Sequence, residues 1–276
     1  LTVIIAAALI AAAVLYLERL ELPEDSAVRK DLPAERRGKA GKQKAPAAGN
    51  RGLEIAVIID DIGFDLGAVE ELARIRAPLA FAVLPNAPHA AAAAELLHAA
   101  GKEILLHLPM EPRSRNGDSP GAGALLGDMN AGEISRQVAA HLAAIPHVSG
   151  VNNHMGSLFM EDEARLSVVM NELGKRGLFF VDSRTTPDSR GREAALKAGV
   201  RFAARNVFID HEPGYAAALA NLTRPPRQGW KNGAPLVMIG HPHPETVRAL
   251  KKALPILREE GIRVVPVSAV LEKGQR

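Results

Sequence analysis

Between residues 53 and 276 the chain repeats one unit: a polar amphipathic helix, a glycine at its C-terminal end, then a short apolar strand. Ala100-Gly101 leads into Glu103 to Leu106, Arg176-Gly177 into Leu178 to Val181, Ala198-Gly199 into Val200 to Ala203, and Glu260-Gly261 into Ile262 to Val265. The intervening helices carry apolar residues at helical spacing, as in Leu166, Val169, Met170 and Leu173, or Val247, Leu250, Leu254 and Leu257. Asn130 followed by Glu133 predicts a capping box for the helix bearing Ile134, Val138 and Leu142. With Ile55 to Ile59, Leu79 to Leu84 and Leu236 to Ile239, seven or eight strands alternate with helices. Short continuous apolar runs are how parallel strands covered on both faces read. A closed or nearly closed (β/α) barrel and an open doubly wound sheet both fit. No glycine-rich phosphate fingerprint follows the first strand, which favours the barrel. In either arrangement, ligands sit where the strands end.

The N-terminal part reads differently. Leu1 to Leu17 is an uncharged apolar run followed by Glu18 and Arg19, matching a signal-peptide core or a membrane anchor. A buried helix of the domain is the other reading of this run. Residues 18–52 are rich in Lys, Arg, Ala, Pro and Gly and read as a flexible tether. The expected organisation is therefore an anchor over 1–17, a basic tether over 18–52 and a catalytic domain over 53–276. It implies an exported protein of the periplasm or cell envelope that meets the membrane through its N-terminal segment.

Charge and composition narrow the function. The net charge of +3 resides in Glu18 to Arg51, with 9 basic and 6 acidic residues, and the remainder holds 25 of each sign. A neutral domain, in a chain with only two Tyr and one Trp, has neither a basic stripe nor a row of stacking rings, which argues against nucleic acid as a partner. The absence of cysteine excludes disulfides, thiolate-bound zinc, iron-sulfur clusters and a cysteine nucleophile.

The positions just after the apolar runs form a selective set. Asp60 and Asp61 follow Ile55 to Ile59, His107 follows Ile104 to Leu106, and Asp182 follows Val181. Asn152, Asn153 and His154 stand near Val151, and His241, Pro242 and His243 come after Ile239-Gly240. Taken singly, paired aspartates cap turns and a lone histidine is more often structural; His89, His98, His141 and His147 are read that way. Together, the groups suit hydrolysis at a divalent cation. One carboxylate and two imidazoles hold the ion, a second carboxylate takes a proton from water, and a histidine protonates the leaving group. If the strand stays extended, Asp60 and Asp61 point in opposite directions, one toward the metal and one toward the water.

Five segments carry a resemblance: Asp60-Asp61-Ile62-Gly63, His107-Leu108-Pro109-Met110-Glu111-Pro112, Asn152-Asn153-His154-Met155-Gly156-Ser157, Asp182-Ser183-Arg184-Thr185 and Gly240-His241-Pro242-His243-Pro244. As an ordered set spanning nearly the whole domain, they resemble the divergent polysaccharide deacetylases, a branch of the carbohydrate-esterase deacetylase superfamily. The resemblance implies a distorted (β/α) barrel of about seven strands and a zinc-like cation acting against an N-acetyl or O-acetyl group on a sugar. It implies Asp60 as base, Asp61 and His107 as metal ligands, His241 as acid, and Asp182 as a supporting carboxylate that orients a catalytic partner. The better-studied deacetylases have a second ligand histidine four residues after the first, where this chain has Glu111, and an arginine-proline motif, which Asn152 to Ser157 replaces. His154 is accordingly expected as the third ligand, with Glu111 as the alternative. Met110, Asn152, Asn153, Arg184 and His243 are expected to face the substrate, an acetylated polysaccharide or oligosaccharide.

Two loop features have open readings. Arg113 to Gly127 is a lid or a variable surface loop, and Trp230 and Tyr215 stack on a sugar ring or pack. The leading functional reading is a metal-dependent deacetylase of an envelope glycan. A catalytically silent envelope scaffold that keeps the fold is the alternative, and a phosphoester hydrolase is weaker because no phosphate-cradling loop or arginine cluster is present.

Overall fold

The structure, a computed structural model, describes residues 53–113, 119–224 and 234–272. The apolar run, the whole tether, part of the Arg113–Gly127 connection and Trp230 lie outside the described residues. Among the described residues, no helix is long and apolar enough to cross a membrane.

Nine strands form one sheet: β1 (Glu54–Ile62), β2 (Ala80–Val83), β3 (Glu103–Met110), β4 (Val148–Met155), β5 (Phe179–Asp182), β6 (Phe202–Ala204), β7 (Val207–Phe208), β8 (Leu236–Gly240) and β9 (Arg263–Val264). Their order is β6-β5-β4-β3-β2-β1-β8-β7, with β9 added to β1, and every pairing is parallel. The two edge strands, β6 and β7, are consecutive in the chain and separated only by Arg205 and Asn206. The sheet must therefore curl until its edges meet. Phe202 to Ala204 pair with β5, Val207 and Phe208 pair with β8, and one extended segment closes the barrel across this seam. Counted as a single stave, it makes a seven-stave barrel with β9 as a short addition.

Seven helices cover the outside: α1 (Leu66–Ala73), α2 (Ala90–Ala99), α3 (Ala131–Ala144), α4 (Glu163–Gly174), α5 (Gly191–Lys197), α6 (Tyr215–Thr223) and α7 (Pro244–Glu259). The capping box of α3 is present, with Glu133 N donating to Asn130 Oδ1 at 3.1 Å and Asn130 N to Glu133 Oε2 at 2.8 Å. Asp65 and Asp162 cap α1 and α4 by accepting from N–H groups of the first turn.

Strand periodicity divides the core in two. Ile55, Val57, Phe81, Ile104, Leu106, Val151, Phe180 and Met238 face the helices. Ala56, Ile58, Ala80, Ala82, Leu105, Phe179, Val181, Ala203, Val237 and Ile239 fill the barrel. The interior combines four alanines with larger side chains, and the Phe179 ring occupies the space beside Gly150. A Cβ at Gly150 would lie 2.3 Å from that ring, so glycine is required there. Continuing the inward parity beyond the apolar layer reaches Asp60, His107, Asn152, His154, Asp210 and His241 at the C-terminal rim.

Candidate active site

The backbone first brings the two aspartates together. Asp61 has φ 55°, in the left-handed region, and the β1–β2 register shifts between Ile59 and Ile62. Asp60 and Asp61 therefore do not diverge as an extended strand would require. His107 Nε2 lies 3.6 Å from Asp60 Oδ2 and 3.3 Å from Asp61 Oδ1. Met155 (φ 52°) and Arg184 (φ 54°) adopt the same unusual conformation at the ends of β4 and β5. Strained backbone thus gathers on this rim, as it does at functional sites generally.

Three donor atoms converge from three strands. Asp61 Oδ1 is 3.2 Å from His154 Nδ1 and 3.3 Å from His107 Nε2, and the two histidine nitrogens are 3.2 Å apart. A tetrahedral ion bound at ~2.0–2.1 Å holds its ligand atoms about 3.3 Å from one another. Asp61 Oδ1 is also buried without a hydrogen-bond partner in the structure. A buried oxygen of this kind suits a cation or water as its partner. The donor set therefore fits a divalent cation held by Asp61, His107 and His154. Glu111 is outside this cluster: its Oε2 accepts from Gly127 N at 2.6 Å.

Asn152 orders the centre. Its Nδ2 donates to Asp60 Oδ1 at 2.8 Å, and His107 Nδ1 donates to its Oδ1 at 2.9 Å, leaving the His107 Nε2 lone pair for the cluster. Burial pushes the Asp60 carboxyl above its usual range, against the pull of His107 and Asn152. Burial acts the same way on Asp61, but the His107 and His154 imidazoles beside it outweigh burial and hold that carboxyl well below the usual range. For His107, burial opposes protonation, yet Asp60 and Asp61 raise its pKa overall.

His241 stands across the site, its Nε2 3.8 Å from Asp61 Oδ2. Its Nδ1 is 3.1 Å from Asp210 Oδ1, and Asp210 Oδ2 accepts from His241 N at 2.7 Å and from Thr246 Oγ1 at 2.9 Å. Burial lowers the His241 pKa and the Asp210 carboxylate outweighs it, so the imidazole is held above its ordinary value. The Phe208 ring packs edge-on against His241 at 5.4 Å between centroids, and the Arg205 guanidinium lies over its face at 4.9 Å.

A cleft of about 790 Å³ opens from this centre toward α6 and is bordered by Asp60, His107, His154, Arg205, Phe208 and His241. A smaller hollow of about 250 Å³ lies on the other side of His241, with Asp61, Phe64 and His243 on its wall.

Several expectations are corrected. Asp182 shares the parity of Phe180, not of Phe179 and Val181, so its side chain turns to the outer layer. Its oxygens accept from Arg184 N and Ser189 Oγ, each at 2.7 Å, and it shapes the β5–α5 loop without touching a catalytic partner. Met110 shares the outward parity of Leu106 and Leu108 and is fully buried. Asn152 is fully buried, with its amide committed to Asp60 and His107. Asn153 borders the cleft, but it donates to Met155 O at 2.8 Å and accepts from Ser183 N at 2.8 Å. None of these three has an amide or apolar surface free for substrate. Arg184 is exposed at the rim, and His243 is exposed with its ring centroid 5.7 Å from His241.

Tyr215 packs under the Arg248 guanidinium at 4.3 Å and does not border the cleft. The described part of the Arg113–Gly127 connection is tied to β3, with Leu125 N donating to Pro109 O and Glu111 N to Leu125 O, both at 2.9 Å. Sequence reasoning missed Asp210, Arg205 and Phe208. Asp210 follows the apolar run Val207-Phe208-Ile209, so the strand-end rule reaches it once that short run is recognised as a strand.

A parallel curled barrel with its polar residues at the strand C-termini is a (β/α) barrel that carries its site on that rim. Residues 57–271 match the family described as divergent polysaccharide deacetylase, and the chain belongs to that family. It is 32% identical over 222 residues to YibQ, an uncharacterized protein of Escherichia coli (strain K12), covering 80% of this chain and 68% of that protein. An uncharacterized protein of Haemophilus influenzae is 31% identical over 207 residues, covering 75% of this chain and 73% of the other. Among solved structures, protein ATU2773 of Agrobacterium tumefaciens C58 superposes with a TM-score of 0.74 at 26% identity, over 81% of this chain and 91% of that one. A T48 deacetylase crystallised with substrate shares the fold at a TM-score of 0.52 and 12% identity, over 81% of this chain and 96% of its own.

Proposed function

We propose that the chain is a metal-dependent deacetylase that hydrolyses N- or O-acetyl groups on an envelope polysaccharide or oligosaccharide. The observation that carries this reading is the convergence of Asp61 Oδ1, His107 Nε2 and His154 Nδ1 between Asp60 and His241. Asp61, His107 and His154 would hold a divalent cation, and zinc matches two imidazoles and one carboxylate at tetrahedral spacing. When bound, it polarises the acetyl carbonyl and lowers the pKa of water.

The rest falls to the chain's own groups. Asp60, whose pKa burial raises, takes the proton from the attacking water through Oδ2, while Asn152 holds its other oxygen. As the bond from the acetyl carbon to nitrogen or oxygen breaks, His241 gives the Nε2 proton to the departing amine or alcohol, and acetate leaves. Asp210 keeps the imidazole oriented and favours its charged form. The Phe208 and Arg205 wall of the cleft would receive the sugar. The apolar run Leu1 to Leu17 and the tether support an exported domain held at a membrane.

The test is metal analysis of the purified chain together with acetate release from a panel of acetylated glycans, with Asp60→Asn as control. Bound metal with release that Asp60→Asn abolishes is the expected result. Bound metal without release from any glycan would replace this reading with that of a silent binding protein.

A further inference from the structure

At the end of the barrel where the strands begin, opposite the site, a second cleft of about 790 Å³ lies between α1 and α7. Its apolar lining is Ile75 and Ile262, both buried, with Leu254, Pro78 and Pro255 on the wall. Its rim carries Arg74, Arg76, Lys251, Arg258 and Arg263 against a single bordering carboxylate, Glu71. Lys251 pairs with Glu71 at 2.6 Å, Arg74 pairs with Glu70 at 3.1 Å, and Arg263 pairs with Glu54. These are exposed pairs, which water and salt weaken. Arg76 and Arg258 are exposed and have no ion pair or hydrogen-bonded side-chain partner among the described residues. Behind the rim, Lys102 is buried and donates to the carbonyls of Ile75 and Ala77 at 2.5 and 3.0 Å, where burial lowers its pKa.

Cations in the last turn of a helix balance its dipole, which accounts for Arg74 and Arg258 beside the ends of α1 and α7. It does not account for Arg76, in the loop beyond α1, whereas Arg263 on β9 faces Glu54 directly across the β1–β9 pairing. A cationic rim over an apolar lining is complementary to an anionic amphiphile. The domain's chain also begins here, for Arg263 N donates to Leu53 O at 2.8 Å, and the sequence upstream holds the apolar run Leu1 to Leu17.

We propose that this cleft seats the headgroup of an anionic phospholipid. The domain then docks on a negatively charged membrane by its strand-N-terminal end, with the Asp61 centre facing away from the bilayer. Docking is independent of the reaction at that centre and is tested without it.

The chain has no cysteine, so Pro255→Cys gives a single labelling position on the cleft wall, and replacing a proline inside α7 restores a helix N–H. The full chain carrying a polarity-sensitive fluorophore there is reconstituted into vesicles of phosphatidylcholine alone, or of equal parts phosphatidylcholine and phosphatidylglycerol. A blue shift and contact with a lipid-borne quencher are expected only with phosphatidylglycerol. Each basic residue near an anionic surface contributes about a fivefold factor, so Arg76→Glu with Arg258→Glu should lower the ratio of docked to free label at least about 25-fold. Both side chains are exposed, and an unchanged melting curve checks that the variant is folded. Equal signals in the two vesicles, no signal in either, or a variant that docks like the parent would overturn the proposal. So would loss of the docked signal on adding inorganic phosphate at matched ionic strength, which would make the cleft a site for free phosphate.

Discussion

Asn152 Nδ2 donates to Asp60 Oδ1 at 2.8 Å, and through its other amide atom the same side chain receives the His107 Nδ1 proton at 2.9 Å. One buried amide therefore couples the proposed base to a proposed metal ligand. Asn152→Ala removes both bonds and frees the His107 ring to take the wrong tautomer. Metal affinity should fall about 10–100-fold, as is usual when the partner of a ligating histidine is lost. Competition with a chromogenic chelator measures it; unchanged affinity would show that the ring is oriented by something else.

The ligand set is tested by a pair of substitutions. His154→Ala should strip the bound cation, and with it the rise in melting temperature that the metal confers on the parent chain. Glu111→Gln should leave the stoichiometry intact, because that carboxylate is engaged with Gly127 N at 2.6 Å. The opposite pattern in metal analysis would transfer the third position to Glu111.

Asp210 and Asp182 are both carboxylates at strand ends, and the structure separates their roles. Asp210→Asn should lower kcat about 10²–10⁴-fold with metal content and KM little changed, since it weakens the group that orients and charges His241. Asp182→Asn should instead lower the melting temperature by loosening the β5–α5 loop, with a far smaller change in kcat. Steady-state kinetics beside thermal melts distinguish the two.

Glu172 provides a stability prediction away from the site. Lys175, Arg176 and Ser135 bond its carboxylate and hold its pKa at about 2, below the ordinary 4.5. A depressed folded-state pKa contributes stability that is complete above the unfolded value and lost as the pH falls through the folded one. The melting temperature should thus decline between pH 4.5 and about 2 through this group, and Glu172→Gln should flatten that part of the profile. An identical slope in the variant would remove Glu172 from the account.

Much of this was legible from residue order. The glycine-ended helices and short apolar runs specify alternating helices and parallel strands, because a strand covered on both faces must be apolar throughout. Asp60, Asp61, His107, His154 and His241 stand out since each follows such a run and a parallel barrel brings strand ends to one rim. Asp210 escaped because its strand, Val207–Phe208, is two residues long and lies just across the seam from β6.

Strand parity was present in the sequence but decided nothing until one interior residue was known. With Val181 inside, Asp182 must turn outward; with Leu105 inside, His107 must turn in and Met110 out. The closure at Arg205 and Asn206 and the left-handed turn at Asp61 have no signature in the chain. Residue order specifies which segments are strands and which groups lie at their ends, because both follow from local apolar pattern. Which face each group takes, and that two adjacent carboxylates share one side, depend on packing between segments far apart in sequence, and only the tertiary structure decides them.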